Sequence, residues 1–306
     1  MIVSQSDMTH VATLISAPAA AALDDHAVRA AQHRLPAGSE PRWLDRGVAV
    51  DILFRSAGDN DNRAIAGSIR QALAGRPLDV VVQSLAHRRK RLFLADMDST
   101  MIGQECIDEL ADFVGKKAHV AAITERAMRG EIEFAPALIE RVALLKGLPA
   151  NIVDRVIDER IVPTPGGRTL VATMRAHGAY TCLVSGGFTL FATRIAAMIG
   201  FDEARANILL VGDDGRLTGE VAAPILGRDA KLTTLVELRA HLGLSKPETL
   251  VAGDGANDLA MIEDAGLGVA YHAKPAVATA AAARIDHGDL TALLYAQGYR
   301  REDFVD

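Results

Sequence analysis

The sequence predicts an α/β protein in which a doubly wound parallel sheet carries an inserted helical cap and is preceded by a small βαββαβ sandwich. Three observations carry this. Short apolar runs at Leu92 to Ala95, Tyr180 to Val184, Thr249 to Ala252 and Leu267 to Ala270 have the composition of strands buried on both faces. Helical patterns separate them at Phe188 to Ile199, Asp229 to Leu242 and Asn257 to Ala265. Residues 101 to about 160 hold a helical pattern with no convincing strand, which reads as the cap.

The N-terminal elements follow in order: a strand near His10 to Ile15, a helix from Asp24 to Leu35, extended segments at Arg42 to Leu44 and Val48 to Phe54, a helix from Asn62 to Leu73, and a strand from Leu78 to Ser84. This order suits a ferredoxin-like module over residues 1–85, leaving 86–306 for the larger domain. The run His87-Arg88-Arg89-Lys90-Arg91 between them reads as a solvated linker. A hairpin is expected at Ile208 to Val211 and Leu217 to Val221, around Asp213-Asp214-Gly215-Arg216. Ala276 to Ala283 reads as plain helix.

Composition narrows the function. The chain has 306 residues, 49% hydrophobic and 24% charged, which excludes intrinsic disorder. Its 33 Lys and Arg against 39 Asp and Glu give a net charge of -6, which argues against nucleic acid as the main partner. No apolar run approaches the roughly 20 residues of a membrane span. The alanine-rich stretch Ala17 to Ala22 has no basic residue before it and Asp24-Asp25 just after, so it does not read as a signal peptide. Cys106 and Cys182 fall at a helix start and in a buried strand, so no disulfide is expected and a reducing cytoplasm fits.

Three motifs sit at strand ends. Asp96-Met97-Asp98-Ser99-Thr100 follows the first apolar run and allows two carboxylates to converge on one centre. Ser185-Gly186-Gly187-Phe188 lies between a strand and a helix, where glycines let backbone N–H groups approach an anion. Gly253-Asp254-Gly255-Ala256-Asn257-Asp258 offers two hard oxygen ligands and little bulk, which suits Mg²⁺ beside a phosphate. Any one of these is commonly a turn; three with complementary chemistry point to a phosphoester site. No histidine has metal-ligand spacing with another ligand, so zinc has no support.

In this order, and with Lys231 between the second and third, the motifs resemble the four motifs of the haloacid dehalogenase superfamily. Over about residues 92 to 290 the chain is most similar to the phosphoserine phosphatase family within it. The resemblance implies Mg²⁺-dependent hydrolysis of O-phospho-L-serine, the last step of serine biosynthesis. Asp96 would be the nucleophile, and Asp98 the acid that protonates the leaving serine and then the base for water. Mg²⁺ would be held by Asp96, Asp254 and the backbone carbonyl of Asp98, with Asp258 in support. Ser185, Gly186, Lys231 and Asn257 would bind the phosphoester, with Lys231 offsetting its remaining charge. In the cap, Glu105 would meet the ammonium and Arg141 the carboxylate, with Phe134 and Met128 as candidates to exclude water. The N-terminal module resembles ACT-type amino-acid sensors in architecture only; a packing or dimerisation module fits equally, and a homodimer through it stays open. A signalling receiver domain also joins acidic metal ligands to a phosphorylated Asp, but there an adjacent acidic pair precedes a separate acceptor in a much shorter chain.

Overall fold

The computed structural model describes residues 8–35, 41–56, 62–128 and 131–306, and the Met128 side chain, with the covering role expected of it, lies outside the described residues. The N-terminal elements are β1 (His10–Ser16), α1 (Asp25–Gln32), β2 (Arg42–Asp45), β3 (Ala49–Phe54), α2 (Asn62–Ala72) and β4 (Leu78–Ser84). They form an antiparallel sheet in the order β2-β3-β1-β4, the ferredoxin-like arrangement. Asp24 caps α1 rather than joining it, accepting the Ala27 N–H at 2.8 Å.

Alternation along these strands puts Ala12, Leu14, Val50, Ile52, Phe54, Val80 and Val82 in one core with residues of α1 and α2. Ile15, Ala49 and Val81 face the other way and join the main core. The opposite face of the sandwich is therefore covered by the chain's own C-terminal helix α12 (Ala292–Ala296), which packs on β1.

The central sheet has six parallel strands in the order β12-β11-β10-β5-β6-β7. These are β5 (Leu92–Ala95), β6 (Tyr180–Phe188), β7 (Glu203–Asn207), β10 (Thr249–Gly253), β11 (Leu267–Tyr271) and β12 (Ala283–Ile285). In β5, Phe93 and Ala95 enter one apolar cluster and Leu92 and Leu94 another, so both faces are covered and the run has no polar gap. The helices are α7 (Gly167–Ala176), α8 (Thr189–Ile199), α9 (Arg228–His241), α10 (Leu259–Asp264) and α11 (Pro275–Ala280). The cap consists of α3 (Cys106–Asp112), α4 (Lys117–Met128), α5 (Phe134–Ala143) and α6 (Ile152–Arg160), and the expected hairpin forms as β8 (Leu209–Val211) with β9 (Leu217–Val221). No helix among the described residues is long and apolar enough to cross a membrane.

Several sequence expectations need correction. β6 runs on through Ser185-Gly186-Gly187 to Phe188, with its pairing to β7 irregular between Val184 and Phe188, so α8 begins only at Thr189. The helix placed at Ala276 to Ala283 ends at Ala280, and Ala283 opens β12. The basic linker is only partly solvated. Arg88 forks onto Asp51 with N···O distances of 2.7 and 2.6 Å, and the Lys90 ammonium, buried, donates to the Pro247 carbonyl at 2.8 Å.

Candidate active site

β5 lies between β10 and β6, with Ala95 level with Ala252 on one side and Leu183 on the other. The residues just past these strand ends are therefore neighbours about one strand spacing apart. They are Asp96, Asp254 and the Ser185 segment, at the point where the chain passes from β5 to β6 on one side and later returns to β5's other side as β10. The Asp96 N–H donates to the Ala252 carbonyl at 3.0 Å, continuing the ladder up to the nucleophile candidate.

Past Asp96 the chain makes a kinked turn over Met97–Met101 in which Ser99 takes a φ of 57°. The turn aims Asp96 and Asp98 differently. Asp96 Oδ1 accepts from the Met97 N–H at 2.8 Å and from Lys231 Nζ at 2.7 Å. Asp98 Oδ1 accepts the Cys106 N–H at 3.2 Å, at the start of the cap. Burial, and then the nearby Glu105 carboxylate, push the Asp98 carboxyl well above the ordinary carboxylate range.

Asp96, Asp254 and Asp258 each present an oxygen, and these three oxygens lie within 4.8 Å of one another. All three groups are held in place. Thr100 Oγ donates to Asp254 at 3.2 Å, and Asp258 takes Lys231 Nζ at 2.7 Å and the Gly255 N–H at 3.1 Å. Burial, with Asp96 adding to it, raises Asp254 to about 6 and Asp258 to about 7. Burial opposes the charge on Lys231, but Asp258 and Asp96 outweigh it and raise its pKa. Three carboxylates and one ammonium leave two negative charges over, and the donors are all hard oxygens, so the group fits one divalent cation of the Mg²⁺ type.

Asp258 has both oxygens already hydrogen-bonded, one to Lys231 and one to the Gly255 N–H. The Lys231 ammonium is fully buried between Asp96 and Asp258 and is not on the wall of the cavity.

Beside this cluster opens a cavity of about 390 Å³ between core and cap. Ser185, Gly186, Asp254 and Asn257 line the core side; Glu105, Phe134 and Arg141 line the cap side. Ser185 Oγ accepts the Gly187 N–H at 2.8 Å. A Cβ on Gly186 would come within 3.0 Å of the Phe134 ring, so the glycine is what lets the cap ring close over the strand end. Glu105 accepts from Ser99 Oγ at 2.8 Å, and burial raises it to about 7. Arg141 is buried and donates through Nε to the Ala137 carbonyl at 3.1 Å and through Nη1 to Thr124 at 2.9 Å.

The cavity is also lined by Thr124, Arg228 and Lys274, which the sequence reading missed. Lys274 was within reach of the same strand-end logic, since it follows the end of β11. Nothing in the local sequence marks Thr124 or Arg228.

A family model of haloacid dehalogenase-like hydrolases matches residues 93–263. A phosphoserine phosphatase from Polaromonas sp. is 44% identical over 225 residues, covering 72% of this chain and 95% of that protein. A solved probable phosphoserine phosphatase from Vibrio cholerae is 29% identical with a TM-score of 0.76, over 98% of this chain and 90% of its own. A further structure, a phospho-aspartyl intermediate analogue of phosphoserine phosphatase, is 39% identical with a TM-score of 0.63, over 67% of this chain and 98% of its own.

Proposed function

Because the chain belongs to the haloacid dehalogenase-like hydrolase family, in its phosphoserine phosphatase group, we propose that it hydrolyses O-phospho-L-serine to L-serine and phosphate, with Mg²⁺ as cofactor. One observation carries this beyond family membership. Asp96 and Asp254 of the carboxylate cluster line the core side of one small cavity, and a cap acid and guanidinium, Glu105 and Arg141, line its other side. That is the complement of a molecule with a phosphate at one end and an amino acid at the other.

Asp96, Asp254 and the carbonyl of Asp98 would hold Mg²⁺, which supplies positive charge to the phosphoryl oxygens. Asp96 attacks phosphorus. Its Oδ1 is fixed by the Met97 N–H and Lys231, which leaves Oδ2 to form the new P–O bond. As the bond from phosphorus to the serine oxygen breaks, protonated Asp98 delivers its proton to that oxygen. Water then attacks the aspartyl phosphate, Asp98 takes the proton back, and the bond to Asp96 breaks to release phosphate. Ser185 and the Gly186 N–H bind non-reacting phosphoryl oxygens, with Asn257 beside them. Glu105 receives the substrate ammonium, Arg141 its carboxylate, and Phe134 covers the site.

This activity would supply serine as the final biosynthetic step in a reducing cytoplasm. We assign residues 1–85 as a packing module on the 86–306 enzyme, with the cap at about 101–160, since α12 covers the face of its sheet opposite α1 and α2. The test is release of inorganic phosphate from a panel of small phosphoesters, with and without Mg²⁺. Rapid Mg²⁺-dependent release from phosphoserine, abolished in Asp96→Asn, is expected. Equal hydrolysis of phosphoserine and phosphoethanolamine, or full turnover by Asp96→Asn, would overturn the reading.

A further inference from the structure

Arg141 is a buried cation that makes no direct ion pair among the described residues, although the Asp108, Glu105 and Asp98 carboxyl groups lie near enough to favour its charge. Such a group is costly to bury unless a partner arrives and its geometry is held ready. What holds it is uneven. The Nε bond to the Ala137 carbonyl is an i to i−4 contact within α5 and fixes only the base of the guanidinium. The other bond crosses between helices. Nη1 donates to Thr124 Oγ on α4 at 2.9 Å, and Thr124 Oγ in turn donates to the Val120 carbonyl at 3.1 Å.

With its own proton committed to Val120, the Thr124 hydroxyl presents a lone pair to Arg141 and cannot turn to donate elsewhere. Thr124 is itself buried and lines the cavity alongside Arg141. The pair therefore fixes the plane of the fork. Among the described residues two of the five guanidinium N–H groups are used, and the other three are not committed to them.

We propose that Thr124 is a positioning residue that determines specificity, holding the Arg141 fork in the orientation that grips the substrate carboxylate. The proposal rests on the reading of Arg141 as the carboxylate-binding group. Planar two-point recognition depends on angle as well as distance, so a fork free to rotate loses grip on a carboxylate while leaving phosphate and ammonium contacts intact. Thr124 thereby favours α-carboxylate substrates over amines of the same length.

The test uses the full chain with Mg²⁺. Thr124→Val keeps the shape and removes the acceptor. Its KM for phosphoserine should rise about tenfold with kcat within about twofold, the range expected for a lost hydrogen bond to a charged group. The KM or inhibition constant for phosphoethanolamine, which lacks the carboxylate, should stay unchanged. Thr124→Ser retains the hydroxyl and should restore the parent KM. If Thr124→Val folds poorly, Thr124→Ala gives the same comparison. A parallel loss for both ligands would make Thr124 merely structural, and an unchanged phosphoserine KM would remove any role; either overturns the proposal. Failure of the underlying reading is told apart by Arg141→Ala, which would then bind phosphoserine as the parent does.

Discussion

Lys231 Nζ stands 2.7 Å from Asp96 Oδ1 and 2.7 Å from Asp258 Oδ1, with all three side chains withdrawn from solvent. One cation thus serves two acids that would otherwise repel each other beside the proposed metal position. Lys231→Met keeps most of the volume and removes the charge. Breaking a buried ion pair from one side costs about 3–5 kcal/mol, so the metal-free variant should melt well below the parent. Turnover should fall by a factor on the order of 10² to 10³, as when one preorganised charge contact is removed from an active site. Because the variant cluster is more negative, added Mg²⁺ should raise its melting temperature more than it raises the parent's. Calorimetry with and without Mg²⁺ measures this, and an equal metal response in both proteins would contradict it.

Glu105 gives a pH signature. Burial lifts its carboxyl to about 7, and only the ionised form attracts the substrate ammonium. The KM for phosphoserine should therefore fall as pH rises through about 7, and binding at pH 6 should release a proton from this group. In Glu105→Gln that limb should vanish and KM should be high throughout. The linkage to folding has the opposite sense. A raised carboxyl stabilises the fold fully below its unfolded pKa near 4 and loses that contribution as pH climbs through about 7. Calorimetry of phosphoserine binding in two buffers of different ionisation enthalpy counts the proton, and no uptake or release at pH 6 would disprove the assignment.

The parts that were legible in the sequence share a physical cause. Leu92 to Ala95 had to be wholly apolar because alternate residues enter clusters on opposite faces, and the acids that follow had to be short and polar because they sit at the open ends of strands. β7 escaped notice because Glu203–Asn207 is an edge strand whose first four residues are only half-buried, which permits Glu-Ala-Arg-Ala with no apolar signature. α7 has no side-chain cap to announce it. It begins after Gly166, whose φ of 79° and close approach to the Thr291 N–H belong to tertiary packing. The partnership of Lys231 with two acids 135 and 27 residues away, and of Thr124 with Arg141, depends on three-dimensional contact that no local pattern encodes.

Gly253 is a tight packing point of the cluster. A Cβ there would lie 2.5 Å from Asp258 Cγ, and Asp258 cannot yield easily because Lys231 and the Gly255 N–H pin its two oxygens. Gly253→Ala should displace Asp258, raise the Mg²⁺ concentration needed for half-maximal activity by about 10- to 100-fold, and reduce turnover at saturation less severely. A Mg²⁺ titration of phosphate release separates the two effects. A parent-like Mg²⁺ requirement would show that Asp258 does not support the metal.

Asp79 on β4 joins the N-terminal sheet to the catalytic core. Its buried carboxylate accepts the backbone N–H groups of Asp286 at 2.7 Å, His287 at 3.2 Å and Gly288 at 2.7 Å. Gly288 in turn meets the His272 ring through its carbonyl at 2.8 Å, and two residues on, the Lys274 N–H donates to the Asp254 carbonyl at 3.2 Å. Asp79→Ala would leave three donors facing a void, a loss of about 2–3 kcal/mol even after partial relaxation, since a single orphaned buried donor costs roughly 1–3 kcal/mol. Asp79→Asn, which keeps a carbonyl oxygen, should lose less. Hydrogen exchange should rise first at residues 286–288 and then at 272–274, with a smaller rise at the Asp254 loop. If exchange at 272–274 stays at the parent rate while 286–288 opens, the N-terminal sheet does not steady the active-site wall through this route.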